Sequence, residues 1–174
     1  MIFLITSLMR ISSLEGKKVL VAFYTKTGTT KQVADIIKEN IDGDIFQIQT
    51  LTPYPDDHDM LIGQVKKELK NENFPEIVSK GDIANYGVIF VGSPCWWSRL
   101  SCPVATFLKS SNFSGKIIIP FVTHGGSGIA FTVNDIKKYA PGAKVLGGAA
   151  FGDKRWVRQF QRSEVEHWLN GINL

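Results

Sequence analysis

Along this chain short apolar runs alternate with stretches in which apolar residues return every third or fourth position. Val19 to Tyr24 is apolar almost throughout, the pattern of a central parallel strand covered on both faces. Val33, Ile36, Ile37 and Ile41 then recur at helical spacing until Asp42-Gly43 stops the helix. Asp44 to Thr50 follows as a second strand, with Ile45, Phe46 and Ile48 apolar and Gln47 and Gln49 alternating outward, as at a sheet edge. After the break at Pro53-Tyr54-Pro55, Leu61, Val65 and Leu69 form a stripe on a second helix, and the segment from Asn71 to Tyr86 is polar and irregular. Val88 to Val91 and Ile117 to Val122 read as the third and fourth strands, the latter carrying Pro120 near its exit, and Lys144 to Phe151 as the fifth. Pro103, Val104, Phe107 and Leu108 mark the third helix, and Ile129, Val133 and Ile136 the fourth, which Pro141-Gly142 stops. The fifth is expected to open at a capping box of Ser163 and Glu166 and to carry Val165, Trp168 and Leu169 inward.

Five strands alternating with five helices predict an α/β fold. Right-handed crossovers wind such units into an open five-stranded parallel sheet with helices on both faces. No internal repeat, low-complexity tract or linker divides the chain, so residues 17–174 are expected to form one domain. Residues 1–16 read as an N-terminal extension, poorly ordered ahead of the first strand. The apolar stretch from Met1 to Leu14 is interrupted by Arg10, is too short to span a bilayer and lacks the charge that precedes a secretory signal's apolar core.

At 174 residues and 44% hydrophobic content the chain can bury a sizeable core. Its formal charge of +4 is spread along the sequence, with the densest basic cluster at Lys154, Arg155, Arg158 and Arg162. No recognition module accompanies that cluster, which reads as a solvated face or an electrostatic docking surface rather than a nucleic-acid site. Cys95 and Cys102 are too few for a disulfide framework and match neither a zinc knuckle nor a Cys-x-x-Cys pair. A reducing cytoplasm is therefore expected, with no metal site and no membrane association.

The candidate chemistry lies in the loops after the first, third and fourth strands, which in such a sheet emerge together at the carboxyl edge. Thr25-Lys26-Thr27-Gly28-Thr29-Thr30 leaves a strand and opens a helix, aiming hydroxyls, backbone N–H groups and a positive helix end at one point. It lacks both the Gly-x-x-x-x-Gly-Lys-Ser/Thr spacing of a triphosphate loop and the Gly-x-Gly-x-x-Gly of a dinucleotide turn, so a single terminal phosphate suits it better. Gly92-Ser93-Pro94-Cys95-Trp96-Trp97-Ser98 offers two adjacent tryptophans, one expected in the core and the other free to stack on a planar ligand. Thr123-His124-Gly125-Gly126-Ser127-Gly128 offers a glycine-rich backbone able to approach a ring edge. Each loop alone could be an ordinary turn. Together they describe a site for a mononucleotide-like cofactor.

Thr-x-Thr-Gly-x-Thr, Ser-Pro-x-Trp-Trp and Thr-His-Gly-Gly-Ser-Gly, in that order from about Lys17 to Phe151, resemble the flavodoxins. The resemblance implies strand order 2-1-3-4-5 and tightly held, non-covalent FMN. It implies that Thr25, Thr27, Gly28, Thr29 and Thr30 bind the phosphate with Lys26 as counter-charge, and that Trp96 and Trp97 lie beside the isoalloxazine. Pro94 and Cys95 would line its edge through backbone atoms, Thr123, His124, Gly125 and Gly126 would meet the pyrimidine end, and Ser93, Ser98 and Gly128 complete the expected cofactor-binding set. The resemblance also implies redox function, either flavodoxin-type electron transfer or an NAD(P)H-dependent FMN reductase of quinones or similar acceptors. A redox partner protein or a small electron acceptor is then the partner, and the chain is a monomer or a homodimer.

Two departures stand out. Ser98 occupies a place where many relatives have glycine, which raises the cost of backbone rearrangement beside the flavin and bears on one-electron shuttling. The chain is also net positive, whereas electron-carrier flavodoxins are usually acidic. A phosphatase or arsenate reductase on a related sheet would need a cysteine nucleophile with a nearby arginine, for which Cys95 and Arg99 are the near candidates. A non-catalytic interaction module on this fold is a third alternative.

Overall fold

The structure is a computed structural model that describes Leu14, residues 16–153 and residues 157–174. Its strands are β1 (Val19–Phe23), β2 (Asp44–Gln47), β3 (Val88–Trp96), β4 (Arg99–Leu100), β5 (Ile117–His124), β6 (Lys144–Val145) and β7 (Ala149–Gly152). Its helices are α1 (Thr29–Asn40), α2 (His58–Asn71), α3 (Cys102–Lys109), α4 (Thr132–Tyr139) and α5 (Arg162–Asn170). The parallel sheet runs β2-β1-β3-β5-β6, with β7 continuing the β6 position against the far end of β5. Counting β6 and β7 as one interrupted strand, this is the 2-1-3-4-5 order expected from the sequence.

Alternation along the buried strands sends side chains to opposite faces of the sheet. Leu20, Ala22, Ile89, Val91 and Ile118 pack with Val65 of α2, Phe107 and Leu108 of α3 and Ile136 of α4. Val21, Phe23, Phe90, Ile119 and Phe121 pack with Val33 and Ile37 of α1 and Val165 and Leu169 of α5. The second core also takes in Leu14, which is 8% exposed and whose carbonyl accepts from the Lys17 N–H at 3.0 Å. The rest of the expected extension, save Gly16, lies outside the described residues. So do Lys154 and Arg155 of the basic cluster. Its other members are ion-paired at the surface, Arg158 with Glu164 and Arg162 with Glu39 at 2.6 Å and Glu166 at 2.7 Å.

The expected fifth strand, 144–151, is broken at Leu146-Gly147-Gly148, and the cause sits on its neighbour. Lys144 donates to the Lys116 carbonyl and Leu146 to the Ile118 carbonyl, both at 2.9 Å, so alternate residues of β5 face this strand and Pro120 is next in that series. Proline has no N–H to give a ladder. There the chain turns through Gly148 at φ +72°, where an added Cβ would lie 2.5 Å from the Pro120 carbonyl oxygen. Gly148→Ala is expected to lower the unfolding free energy by about 3 kcal/mol, through the left-handed backbone and the clash together. Urea denaturation checks this, and a loss below about 1 kcal/mol would show that the bulge tolerates a side chain.

Two further boundaries differ from expectation. The last helix opens two residues early: Gln161 is its N-cap and Glu164, at N3, accepts from the Gln161 backbone N–H at 2.5 Å, so the box is Gln161/Glu164 rather than Ser163/Glu166. The short β4 folds back antiparallel on the end of β3, pairing Cys95 with Leu100 and Trp96 with Arg99. Trp97 and Ser98 form its tip at φ +53° and +61°, a two-residue turn with both central residues left-handed.

Candidate functional site

Register brings the three chemistry-bearing loops to one edge. Val19 pairs with Val88 and Val88 with Ile117, and further along Pro94 stands beside Thr123 and His124 beside Gly152. The ends of β1, β3, β5 and β7 therefore surround a cleft of about 320 Å³, within the range of small-ligand sites. The first loop contributes Lys26, Thr27 and Thr30, the second Pro94 to Trp97, and the third Thr123 to Gly125.

At one end lies the start of α1. Gly28 is its N-cap at φ +92°, no side chain caps the helix and no acidic residue stands in its first turn. The first helical bond runs from the Gln32 N–H to the Gly28 carbonyl at 3.1 Å, so the amides just before it have no partner within the helix. Thr25 shapes the turn, its Oγ1 accepting from the Gly28 N–H at 3.0 Å. Thr30 and Thr123 share a buried hydroxyl contact of 2.8 Å that ties the first loop to the third. Lys26 reaches across to Asp56 at 2.6 Å, which holds that exposed carboxylate below its ordinary range. Free amides, hydroxyls, a lysine and a positive helix end make a donor set suited to a phosphate.

The other end is aromatic. Trp96 is partly buried and meets Tyr24 and Tyr54 edge-on, with ring centroids 5.6 and 5.1 Å away. Tyr54 in turn donates to Glu68 at 2.6 Å, and burial first, then that hydrogen bond, raises its pKa. Trp97 is 54% exposed at the hairpin tip, with Lys66 Nζ 5.4 Å from its ring centroid. One tryptophan thus anchors the hairpin and its neighbour presents a ring face. α4 holds the hairpin from behind: Arg99 Nε donates to Asp135 at 2.8 and 3.0 Å, Arg99 Nη2 at 2.6 Å, and the Leu100 N–H at 3.0 Å. The Phe131 N–H closes the grip on the Ser98 carbonyl at 3.1 Å.

His124 Nδ1 accepts from the Gly126 N–H at 3.0 Å, and burial lowers the pKa of the ring. The neutral ring is therefore the form the fold prefers, and the unfolded chain binds the extra proton more readily. His124 contributes stability that is complete above the ordinary histidine pKa near 6.5 and is lost as pH falls through it toward the lower folded value. In denaturation series from about pH 8 to about pH 5, wild type is expected to lose more stability than His124→Gln. Parallel curves for the two proteins would count against that assignment.

Several expected residues stand elsewhere. Ser93 is buried at the sheet edge, and its Oγ accepts from the Ser101 N–H at 3.0 Å and pairs with Ser101 Oγ at 2.8 Å, so this hydroxyl braces β3 and does not line the cleft. Ser98 lies at the hairpin tip, and Gly126 and Gly128 lie in the third loop beyond the lining set. Thr25, Gly28 and Thr29 form the turn behind the lining residues. The opposite wall consists of His58, Leu61, Ile62 and Val65 of α2. Their i, i+3, i+4, i+7 spacing was a readable signal for one helix face, whereas Leu61 and Val65 alone read as core. Asp153, just after β7, also lines the cleft and carried no sequence signal.

A cysteine-based phosphate chemistry finds no support here. Burial pushes the Cys95 thiol up rather than toward a thiolate, and the Arg99 guanidinium is engaged by Asp135. Among the described residues no group of His, Cys, Asp and Glu could hold a metal ion, and no helix is long and apolar enough to cross a membrane.

An open parallel sheet with a phosphate-type helix start and an aromatic shelf at one carboxyl edge defines a nucleotide-type binding protein of the doubly wound α/β class. The flavodoxin family model matches residues 18–172, and this chain belongs to the flavodoxin family. It is similar to the structure of a flavoprotein from Bacteroides uniformis, at 30% identity and a TM-score of 0.77, over 89% of this chain and 99% of that one. A flavoprotein from Bacteroides eggerthii matches at 28% identity and a TM-score of 0.75, over 88% and 96% of the two chains. A flavoprotein from Lactobacillus acidophilus, crystallised in complex with FMN, matches at 26% identity and a TM-score of 0.68, over 87% and 98%. No curated protein matches the chain.

Proposed function

We propose that this chain is an FMN-binding redox protein that carries electrons in the manner of a flavodoxin, exchanging them with a partner protein or a small acceptor in the cytoplasm. The observation that carries this reading is the division of one cleft between an uncapped helix start at Thr29 and an aromatic shelf at Trp96-Trp97. A flavin mononucleotide has a dianion at one end and a planar ring at the other. The FMN complex of the Lactobacillus acidophilus relative supports the same cofactor.

In this arrangement Thr27, Thr30, Lys26 and the amides at the start of α1 hold the phosphate. Trp97 covers a ring face, Trp96 and Tyr54 fix the shelf beneath it, and the backbone around Pro94, Cys95 and Gly125 meets the ring edge. The His58, Leu61 and Ile62 wall excludes water from the opposite side. Bound flavin would supply reversible electron transfer, and the protein sets its orientation and surroundings.

Titration of the purified chain into FMN tests the binding: quenching of flavin fluorescence that saturates at one flavin per chain is expected. A colourless protein that leaves FMN fluorescence unchanged would point instead to an interaction module. Steady-state oxidation of NAD(P)H by the FMN-loaded protein separates the two redox forms. Electron transfer predicts no sustained turnover without a partner reductase, and sustained turnover would make the chain a flavin reductase.

A further inference from the structure

Asp153 is a carboxylate in the wall of a cleft whose one end is built for an anion. The Asp153 N–H donates to the His124 carbonyl at 2.8 Å, and its Oδ2 accepts from the Thr29 hydroxyl at 2.9 Å. It thus spans the gap between the loop that carries the ring-edge residues and the loop that carries the phosphate donors. An ionised carboxylate only accepts hydrogen bonds and repels a phosphate, so it can contribute nothing favourable to the dianion. It also draws the Thr29 proton toward itself and leaves Thr27, Thr30 and the amides of α1 as the phosphate donors. A group of this chemistry, placed between an anion site and an aromatic shelf, suits a ligand segment made of hydroxyl donors.

We propose that Asp153 is a specificity residue that accepts hydrogen bonds from the hydroxyls of the polyol linker joining ring to phosphate, and that Thr29 holds the carboxylate in place for this task. The inference rests on the FMN reading of the cleft and deepens it. It assigns the three chemical parts of the ligand to three structural parts of the site: the start of α1 for phosphate, the end of β7 for polyol, and the ends of β3 and β5 for ring.

Three flavins that differ only in their tails test it: lumiflavin without the polyol, riboflavin with the polyol, and FMN with polyol and phosphate. Affinities of wild type, Asp153→Asn and Asp153→Ala are read from flavin fluorescence quenching, with far-UV circular dichroism as the check of folding. Asp153→Ala is expected to weaken riboflavin by about tenfold or more, the scale of a hydrogen bond to a charged group, and to leave lumiflavin unchanged. FMN should lose less than riboflavin, because removing the carboxylate also relieves the phosphate and frees the Thr29 hydroxyl. Asp153→Asn, which keeps one acceptor oxygen, should fall between wild type and alanine for riboflavin. Unchanged riboflavin affinity in Asp153→Ala overturns the proposal, and so does a loss for lumiflavin as large as that for riboflavin. Wild-type protein that quenches none of the three flavins would overturn the FMN reading itself, an outcome distinct from either.

Discussion

Thr27→Glu is expected to lower FMN affinity by about a hundredfold, roughly 3 kcal/mol, while riboflavin affinity stays within about twofold of wild type. Thr27 lines the cleft beside the start of α1 and is itself exposed, so a longer side chain can be accommodated without disturbing the core. The new carboxylate would stand a few ångströms from the phosphate. Two unit charges about 4 Å apart interact by roughly 4 kcal/mol at the effective dielectric of a protein surface. Salt and exposure reduce this, and the double charge of the phosphate raises it. Riboflavin has no phosphate and serves as the internal control. Equal losses for both ligands in fluorescence titrations would mean that the substitution damages the cleft rather than a phosphate site.

Asp135→Ala is the second substitution with a large expected effect, and it acts from outside the cleft. Asp135 is 5% exposed and takes three contacts from Arg99 and one from the Leu100 N–H. Removing the carboxylate leaves the buried Leu100 amide without its acceptor, at a cost of about 1–3 kcal/mol. The lost ion pair adds less, because Arg99 is half exposed and can turn to water. The hairpin tip, held at φ +53° and +61° by residues without glycine's freedom, also loses its clamp. A total near 3 kcal/mol is expected in urea denaturation, with FMN affinity falling about tenfold as Trp97 loses its fixed position. Asp135→Asn keeps an acceptor for the amide and should recover at least a third of the lost stability. A Asp135→Ala protein within about 1 kcal/mol of wild type would contradict this view of the hairpin.

Much of the architecture was legible because β1, β3 and β5 are buried on both faces, and such strands read as unbroken apolar runs bounded by turns. The strand order followed from the resemblance, and the meeting of three loops at one edge followed from parallel pairing. What the sequence concealed depends on neighbours in space. Nothing in Trp97-Ser98 announces a two-residue hairpin, whose usual marks are asparagine and glycine; Asp135 and Phe131, more than thirty residues away, hold that turn. The interruption of the fifth strand at Gly147-Gly148 is dictated by Pro120 on the strand beside it. Ser93 reads as a loop hydroxyl available to a ligand until its partner Ser101 is placed against it. Asp153 carries no motif, and only the pairing of His124 with Gly152 brings it to the cleft.

Ion pairs at the surface add little to this picture. Lys31–Asp35, Arg162–Glu166 and Lys138–Glu72 join exposed groups whose attraction is screened by water and salt, so they stabilise the fold little. In the proposed electron transfer the net positive charge would favour a partner with an acidic surface, and the encounter rate would then fall with ionic strength.

In the proposed binding mode one cleft receives a flavin mononucleotide with its phosphate at the start of α1 and its ring at Trp96-Trp97. The most direct measurement is a crystal structure of the FMN-loaded protein. Phosphate density among Thr27, Thr30 and the first amides of α1, with the ring covered by Trp97 and its edge facing Gly125, is the expected result. Flavin bound outside this cleft, or lying in it with its ring against α1 and its phosphate at the tryptophans, would contradict that binding mode.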